Sequence, residues 1–117
     1  MSWEVSLVSE VSEWLINLSE EDPKLADLVA AAIDMLEENG PTLGRPLVDT
    51  IKGSKIHNLK ELRPSTVRLL FAFDPKQEAI ILVAGDKAGQ WKQWYADNIP
   101  VAEERYAQWI NGYSVEE

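Results

Sequence analysis

The sequence predicts an α+β domain in the order β-α-α-β-β-β-α. Its sheet is mainly antiparallel, with two N-terminal helices packed on it and a C-terminal helix. Three observations predict this. Apolar residues alternate at the start, then recur at helical spacing through two successive segments. Three short apolar runs separated by turn residues follow. A chain of 117 residues is long enough to bury a real core, and residues 1–117 read as one domain.

The first strand is carried by Trp3, Val5 and Leu7, which alternate with Ser2, Glu4 and Ser6. From Ser9, the expected N-cap, Val8, Val11, Leu15 and Leu18 fall at helical spacing. The second helix has the clearest signals. Asp22 is placed to cap it and Pro23 suits its first turn. Leu25, Leu28, Val29, Ala32, Ile33 and Leu36 form one apolar stripe. Asn39-Gly40-Pro41 ends it, because Gly tolerates the C-cap and Pro cannot continue a helix. Asp27, Asp34, Glu37 and Glu38 read as its solvated face.

Residues 40–58 show no sustained period and read as a loop. Strands are expected over 57–63, 67–74 and 78–85. Val67, Leu69, Phe71 and Phe73 share one face of the second, and Arg68, Leu70 and Ala72 share the other. Asp74-Pro75-Lys76-Gln77 is a hairpin connection. The run 79–84 is apolar on both faces and is expected to be central. A short helical piece over 91–97 precedes Pro100. That proline is expected to open a last helix with the stripe Ala102, Tyr106, Trp109, Ile110 and Tyr113.

Twenty acidic and eleven basic residues give a net charge of -9, which by itself argues against phosphate binding. The distribution changes that reading. Residues 1–44 carry a net -9, residues 45–92 a net +4 and residues 93–117 a net -4. The middle third is a basic island between acidic flanks. With no Cys and one His, neither a disulfide, a thiolate site nor a His-rich metal centre is expected, and no cofactor is implied. The acidic N-terminus lacks a signal peptide's basic region, and no run has a membrane span's length, so the expected compartment is the cytoplasm.

Within the island, Arg63 ends one strand and Arg68 begins the next across a short Pro64-Ser65-Thr66 link. Lys87 follows the central strand, and Tyr95 lies on the helical piece beyond it. Arginines, a lysine and a tyrosine converging on a sheet suit phosphodiester chemistry without a metal. The cations stabilise the extra negative charge of the transition state, and a titratable group moves the proton. Structural roles compete with this one. Arg68 could pair with Glu61 across the sheet, while Tyr95, Trp91 and Trp94 could be core.

Leu59-Lys60-Glu61-Leu62-Arg63, Val67-Arg68-Leu69-Leu70-Phe71, Leu82-Val83-Ala84-Gly85-Asp86-Lys87 and the stretch Trp91 to Tyr95 occur here in order and at set spacing. In these blocks the chain resembles the RelE/HigB-type toxins of bacterial type II toxin–antitoxin modules, especially the phage-derived HigB-like branch. The resemblance implies a RelE-like fold and a metal-independent mRNA endoribonuclease, usually acting on the ribosome. In its mechanism the substrate 2′-hydroxyl attacks the adjacent phosphate. Residue by residue, it implies catalytic roles for Arg63, Arg68, Lys87 and Tyr95. Lys52, Lys55, His57, Lys60 and Lys92 become RNA contacts, with His57 competing with Tyr95 as general base. It implies a helix-turn-helix antitoxin as partner, and operator DNA binding only through that antitoxin. Two alternatives share the fold: a non-catalytic antitoxin-binding corepressor module, and a gyrase-directed toxin.

Overall fold

The structure is a computed structural model. It describes residues 3–86, 89 and 91–116, with side chains as far as residue 112. The elements are β1 (Val5–Leu7), α1 (Ser9–Glu21), α2 (Pro23–Asn39), a 3-10 turn over Gly40–Thr42, β2 (Val48–Thr50), β3 (Lys60–Leu62), β4 (Val67–Phe73), β5 (Ala79–Asp86) and α3 (Trp91–Glu116). They form a five-stranded mixed sheet in the order β1-β5-β4-β3-β2. Only β1 runs parallel to its neighbour β5; the β2–β3, β3–β4 and β4–β5 pairs are antiparallel.

The two helical stripes pack where the periodicity puts them. Val11 of α1 and Val29, Ala32 and Leu36 of α2 lie in one core with Leu62, Val67, Leu69, Phe71 and Ile81. Asp22 caps α2, its carboxylate accepting from the Leu25 N–H at 3.2 Å, with Pro23 at the helix start. Two details depart from expectation. Ser9 lies inside α1 and Val8 is its N-cap, because Val8 stays extended and accepts the first helical bonds through its carbonyl. Leu28 belongs to the α2 stripe by spacing but is 53% exposed, since it sits at the stripe's outer edge.

On the opposite face of the sheet, Leu70, Ala72, Ile80 and Leu82 pack under α3 through Ala102, Trp94, Tyr95, Ile99 and Tyr106. The alternation predicted for β4 therefore holds, as does the two-sided burial of β5. A bulge interrupts their pairing: Leu70 faces Val83 while Phe71 faces Ile81, leaving Leu82 as the extra residue.

Three further expectations are corrected. Residues 48–50, expected as loop, form β2, an edge strand too short to display a period. The strand expected over 57–63 is limited to Lys60–Leu62, because Asn58 has φ +65 and cannot extend the ladder. Pro100 does not open a helix; it lies inside α3, which is continuous from Trp91. An internal proline costs about 3 kcal/mol. Here Trp94, Tyr95 and Ile99 pack before it, and Val101, Ala102 and Tyr106 after it, so tertiary burial overrides the local break. The expected stripe is buried at Ala102 and part-buried at Tyr106, Trp109 and Ile110, while the Tyr113 side chain lies outside the described residues. No helix among the described residues is long and apolar enough to cross a membrane.

Candidate active site and its family

Alternation along β3 and β4 decides which charged residues meet. Glu61 pairs with Leu70 on the α3 face, and Arg68, two residues before Leu70, shares that face. Lys60 pairs with Phe71 and Leu62 with Leu69, both on the α1/α2 face.

Arg68 is buried, with 8% of its surface exposed. Its Nη1 donates to the carbonyls of Ser65 (2.9 Å) and Val67 (2.8 Å). The guanidinium lies over the Trp91 ring, 4.4 Å from its centre, a cation–π contact. Its Nε is buried and has no hydrogen-bond partner among the described residues. The sequence has four arginines, and the other three are ion-paired. Arg45 meets Asp49 at 3.2 Å, Arg63 meets Asp49 at 3.7 Å and Glu61 at 3.6 Å, and Arg105 meets Glu10 at 3.4 Å. Among the described residues no carboxylate lies within ion-pair distance of Arg68, so the cross-sheet pair with Glu61 does not form.

Glu61 is buried with 6% exposure, and Tyr95 satisfies it instead, donating its hydroxyl to Oε2 at 2.5 Å. Burial, then the hydrogen bond and charge of Glu61, push the Tyr95 phenol up to about 12, while the Arg68 charge pulls the other way. Tyr95 stacks on Trp91 at 5.8 Å and 22°. The result is a contact chain running Arg63–Glu61–Tyr95–Trp91–Arg68.

Gly85 seats the start of α3 above this chain. It lies opposite Arg68 in the β4–β5 ladder, and a Cβ there would come within 2.6 Å of the Trp94 indole nitrogen. Only a glycine lets Trp94 lie this close to the strand, and Trp94 meets the stacked Trp91 and Tyr95 rings edge-on.

The remaining candidates divide. Lys52 and Lys55 are exposed on the 51–58 loop, which faces α3 through Ile51 and Ile56. Glu103 of α3 fixes that loop by accepting from Ser54 Oγ (2.9 Å) and the Lys55 N–H (2.6 Å). Those bonds hold the Glu103 carboxyl below its ordinary value, the Lys55 N–H contributing most. Lys92 is exposed, one residue beyond Trp91. His57 and Lys60 stand apart, lining a cleft of about 520 Å³ with Phe73, Asp74 and Gln77 at the β4–β5 hairpin. Arg68 is near the other end of β4, five residues or roughly 17 Å from Phe73 at strand spacing, and Lys60 faces the opposite side of the sheet. Lys87 lies outside the described residues.

Sequence reasoning gave Glu61 only as a partner for Arg68; its bonds to Tyr95 and Arg63 depend on how α3 docks, which no local pattern encodes. The sequence offers Trp91 as core, and its role as the seat of Arg68 carries no sequence signal beyond its aromatic character.

Comparison with known proteins bears on the fold and the family. Residues 13–107 match the family described as "Phage derived protein Gp49-like (DUF891)". Two Mycobacterium tuberculosis (strain ATCC 25618 / H37Rv) proteins, named as candidate toxins HigB3 and HigB2, are similar to this chain. HigB3 is 50% identical over 108 residues, covering 91% of this chain and 92% of HigB3. HigB2 is 53% identical over 106 residues, covering 86% of this chain and 51% of HigB2. The fold is similar to that in the crystal structure of the archaeal RelE-RelB complex from Pyrococcus horikoshii OT3. That match has a TM-score of 0.61 at 19% identity and covers 76% of this chain and 99% of that one. A RelE-like sheet, matched to the Gp49-like family over most of its length and half identical to HigB3, places the chain in the Gp49-like family of HigB-type toxins.

Proposed function

We propose that this toxin-family protein is a metal-independent mRNA endoribonuclease that acts on substrate presented by the ribosome and is held by a helix-turn-helix antitoxin. Operator DNA is bound only through that antitoxin, and the compartment is the cytoplasm. The observation that carries the reading is Arg68. A buried cation normally carries a carboxylate partner, because an isolated buried charge is costly. Arg68 is instead held by two carbonyls and a tryptophan face. Its charge is fixed in place without being neutralised, which is what stabilisation of a phosphorane-like transition state requires.

In this reading the substrate 2′-hydroxyl attacks the adjacent phosphorus and the bond to the 5′-oxygen breaks, leaving a cyclic phosphate and a 5′-hydroxyl. Arg68, with Lys87 as the second cation, stabilises the phosphate oxygens. With its phenol raised to about 12, Tyr95 is no base by itself at neutral pH. Its hydrogen bond to Glu61 gives the proton somewhere to go: Tyr95 accepts from the 2′-hydroxyl as it passes its own proton to Glu61. The reverse transfer protonates the leaving oxygen. Arg63 positions Glu61, and Lys52, Lys55 and Lys92 hold flanking phosphates. The hairpin-end position of His57 and Lys60 suits them to RNA further along the strand rather than to the reacting phosphate.

Induced expression is expected to arrest growth and yield cut mRNA. Arg68→Lys and Tyr95→Phe should each lower cleavage by roughly 10²–10⁴-fold with the fold retained. Full-strength arrest in both variants would sink the site assignment. One observation favours a second reading. Arg63 is neutralised by Asp49 and Glu61 in an already acidic chain, which suits an antitoxin-binding module that cuts nothing. A ribosome-programmed assay without product, alongside an intact antitoxin complex, would select it.

A further inference from the structure

Helix α2 turns one apolar row away from the core. Leu28 is 53% exposed and Met35 is 42% exposed, and Ala31 lies between them and is also exposed. The spacing i, i+3, i+7 makes them one ridge on the helix surface. Across from the ridge stand Leu47 and the turn Arg63-Pro64-Ser65, and together they enclose an open groove of about 260 Å³. Beside the ridge runs a second row, Asp27, Asp34 and Glu38, every member exposed. An apolar ridge flanked by a row of carboxylates is the complement of an amphipathic helix with apolar residues at i, i+4 and i+7 and Lys or Arg alongside. A second copy of this chain fits poorly, because a two-fold contact on the ridge would set one acidic row against the other.

We propose that this groove is the docking surface for a basic amphipathic helix of the antitoxin; the partner's identity rests on the toxin–antitoxin reading above. The surface also reaches the candidate active site. Arg63, in the groove wall, contacts Glu61 at 3.6 Å, and Ser65, beside it, gives its carbonyl to Arg68 at 2.9 Å. A helix seated there bears on two of the groups that position the site's charges, so the antitoxin can disturb the site from its flank without covering it.

The test co-expresses the full chain with the tagged product of the adjacent reading frame and measures complex formation and its salt dependence. Wild type and Ile16→Glu, which alters an exposed apolar residue on α1 outside the groove, should bind alike. Leu28→Glu/Met35→Glu should weaken binding by at least about tenfold. Asp34→Lys/Glu38→Lys, on exposed positions, should weaken it too and flatten its salt dependence. Binding of both double variants within about twofold of wild type, with unfolding midpoints unchanged, overturns the surface and leaves the toxin–antitoxin reading standing. A wild-type homodimer dissolved by Leu28→Glu/Met35→Glu also overturns it, giving the ridge to a second copy. Failure of wild type to bind the neighbour's product removes the antitoxin reading and the proposal with it.

Discussion

Among the described residues, the buried side chains on the α1/α2 side of the sheet are all apolar: Val11, Val29, Leu36, Leu62, Leu69, Phe71 and Ile81 are examples. On the α3 side Glu61 and Arg68 of the same strands and Asp74 of the β4–β5 hairpin are buried, and each meets an aromatic residue of α3. Glu61 accepts from Tyr95, Arg68 lies on Trp91, and Asp74 accepts from the Trp109 indole N–H at 3.0 Å. The first face is held by non-directional burial, which tolerates apolar substitution of similar volume. The second is held by directional contacts, each of which constrains where α3 sits. The difference teaches that α3 is both the lid of a core and the frame of the candidate site. A change in its docking therefore reaches the charged groups, while a change on the dry face reaches mainly stability.

The largest expected effect tests the dry face. Phe71→Ala removes a fully buried ring and should cost about 3–5 kcal/mol in urea unfolding, with cleavage per folded molecule unchanged. A cost below about 1 kcal/mol, or a specific loss of cleavage, would break the division between the faces. Gly85→Ala comes next. The added methyl meets the Trp94 indole nitrogen at 2.6 Å, so the start of α3 must move, at about 1–3 kcal/mol for overpacking. Here cleavage should fall further than stability explains, because Trp91 and Tyr95 move with Trp94. Equal loss in both measurements would mean that α3 does not frame the site.

The dry face was almost wholly legible in the sequence. Periods of 3.6 and 2 report which side of an element is apolar, and the stripe through Val29, Ala32 and Leu36 and the alternation through Val67, Leu69 and Phe71 are long enough to display them. Val48–Thr50 was not legible, because three residues contain no repeat. Pro100 misled for the opposite reason: a strong local breaker lost to burial along the whole length of α3. The site was half legible. Arg63 and Arg68 stand close to Glu61 and Tyr95 because strand register and a short turn bring them there, and both features are local. The exchange of partners, Tyr95 taking Glu61 and Trp91 taking Arg68, depends on how a helix some thirty residues away in sequence lies on the sheet. His57 and Lys60, expected as RNA contacts, lie apart from Arg68 in the structure. Sequence neighbours one residue apart on a strand face opposite sides, and the hairpin end is remote from the end that holds Arg68.

A smaller effect sharpens the polar face. Glu61→Gln keeps an acceptor for Tyr95 but removes the charge, and should cost about 1 kcal/mol. Cleavage should nevertheless fall by roughly 10²-fold or more, since an amide cannot take the proton that Tyr95 passes on. Arg63→Lys preserves the charge beside Glu61 and should recover most activity where Arg63→Ala does not. Retained cleavage in Glu61→Gln would remove the relay and leave Arg68 as the principal contributor.

The smallest effect is a pH dependence confined to one face. Burial first, and the Glu61 contact second, raise the Tyr95 phenol from its ordinary 10.0 to about 12, so the folded state favours the protonated hydroxyl. Stability from this preference is complete below pH 10 and is lost as pH rises towards 12. Tyr106 shifts the same way, through burial and then Asp74, so it contributes a second, separate alkaline slope. Wild type should therefore lose unfolding free energy faster than Tyr95→Phe between pH 10 and 12, and Tyr95→Phe should lack the latest step in tyrosinate absorbance. Phe71→Ala should keep the wild-type slope, because it leaves the Tyr95–Glu61 and Tyr106–Phe73 hydrogen bonds on the other face in place. If Tyr95→Phe also runs parallel, the Tyr95 hydroxyl is not held by Glu61 in solution, and the directional contact that distinguishes the α3 face at this residue is absent.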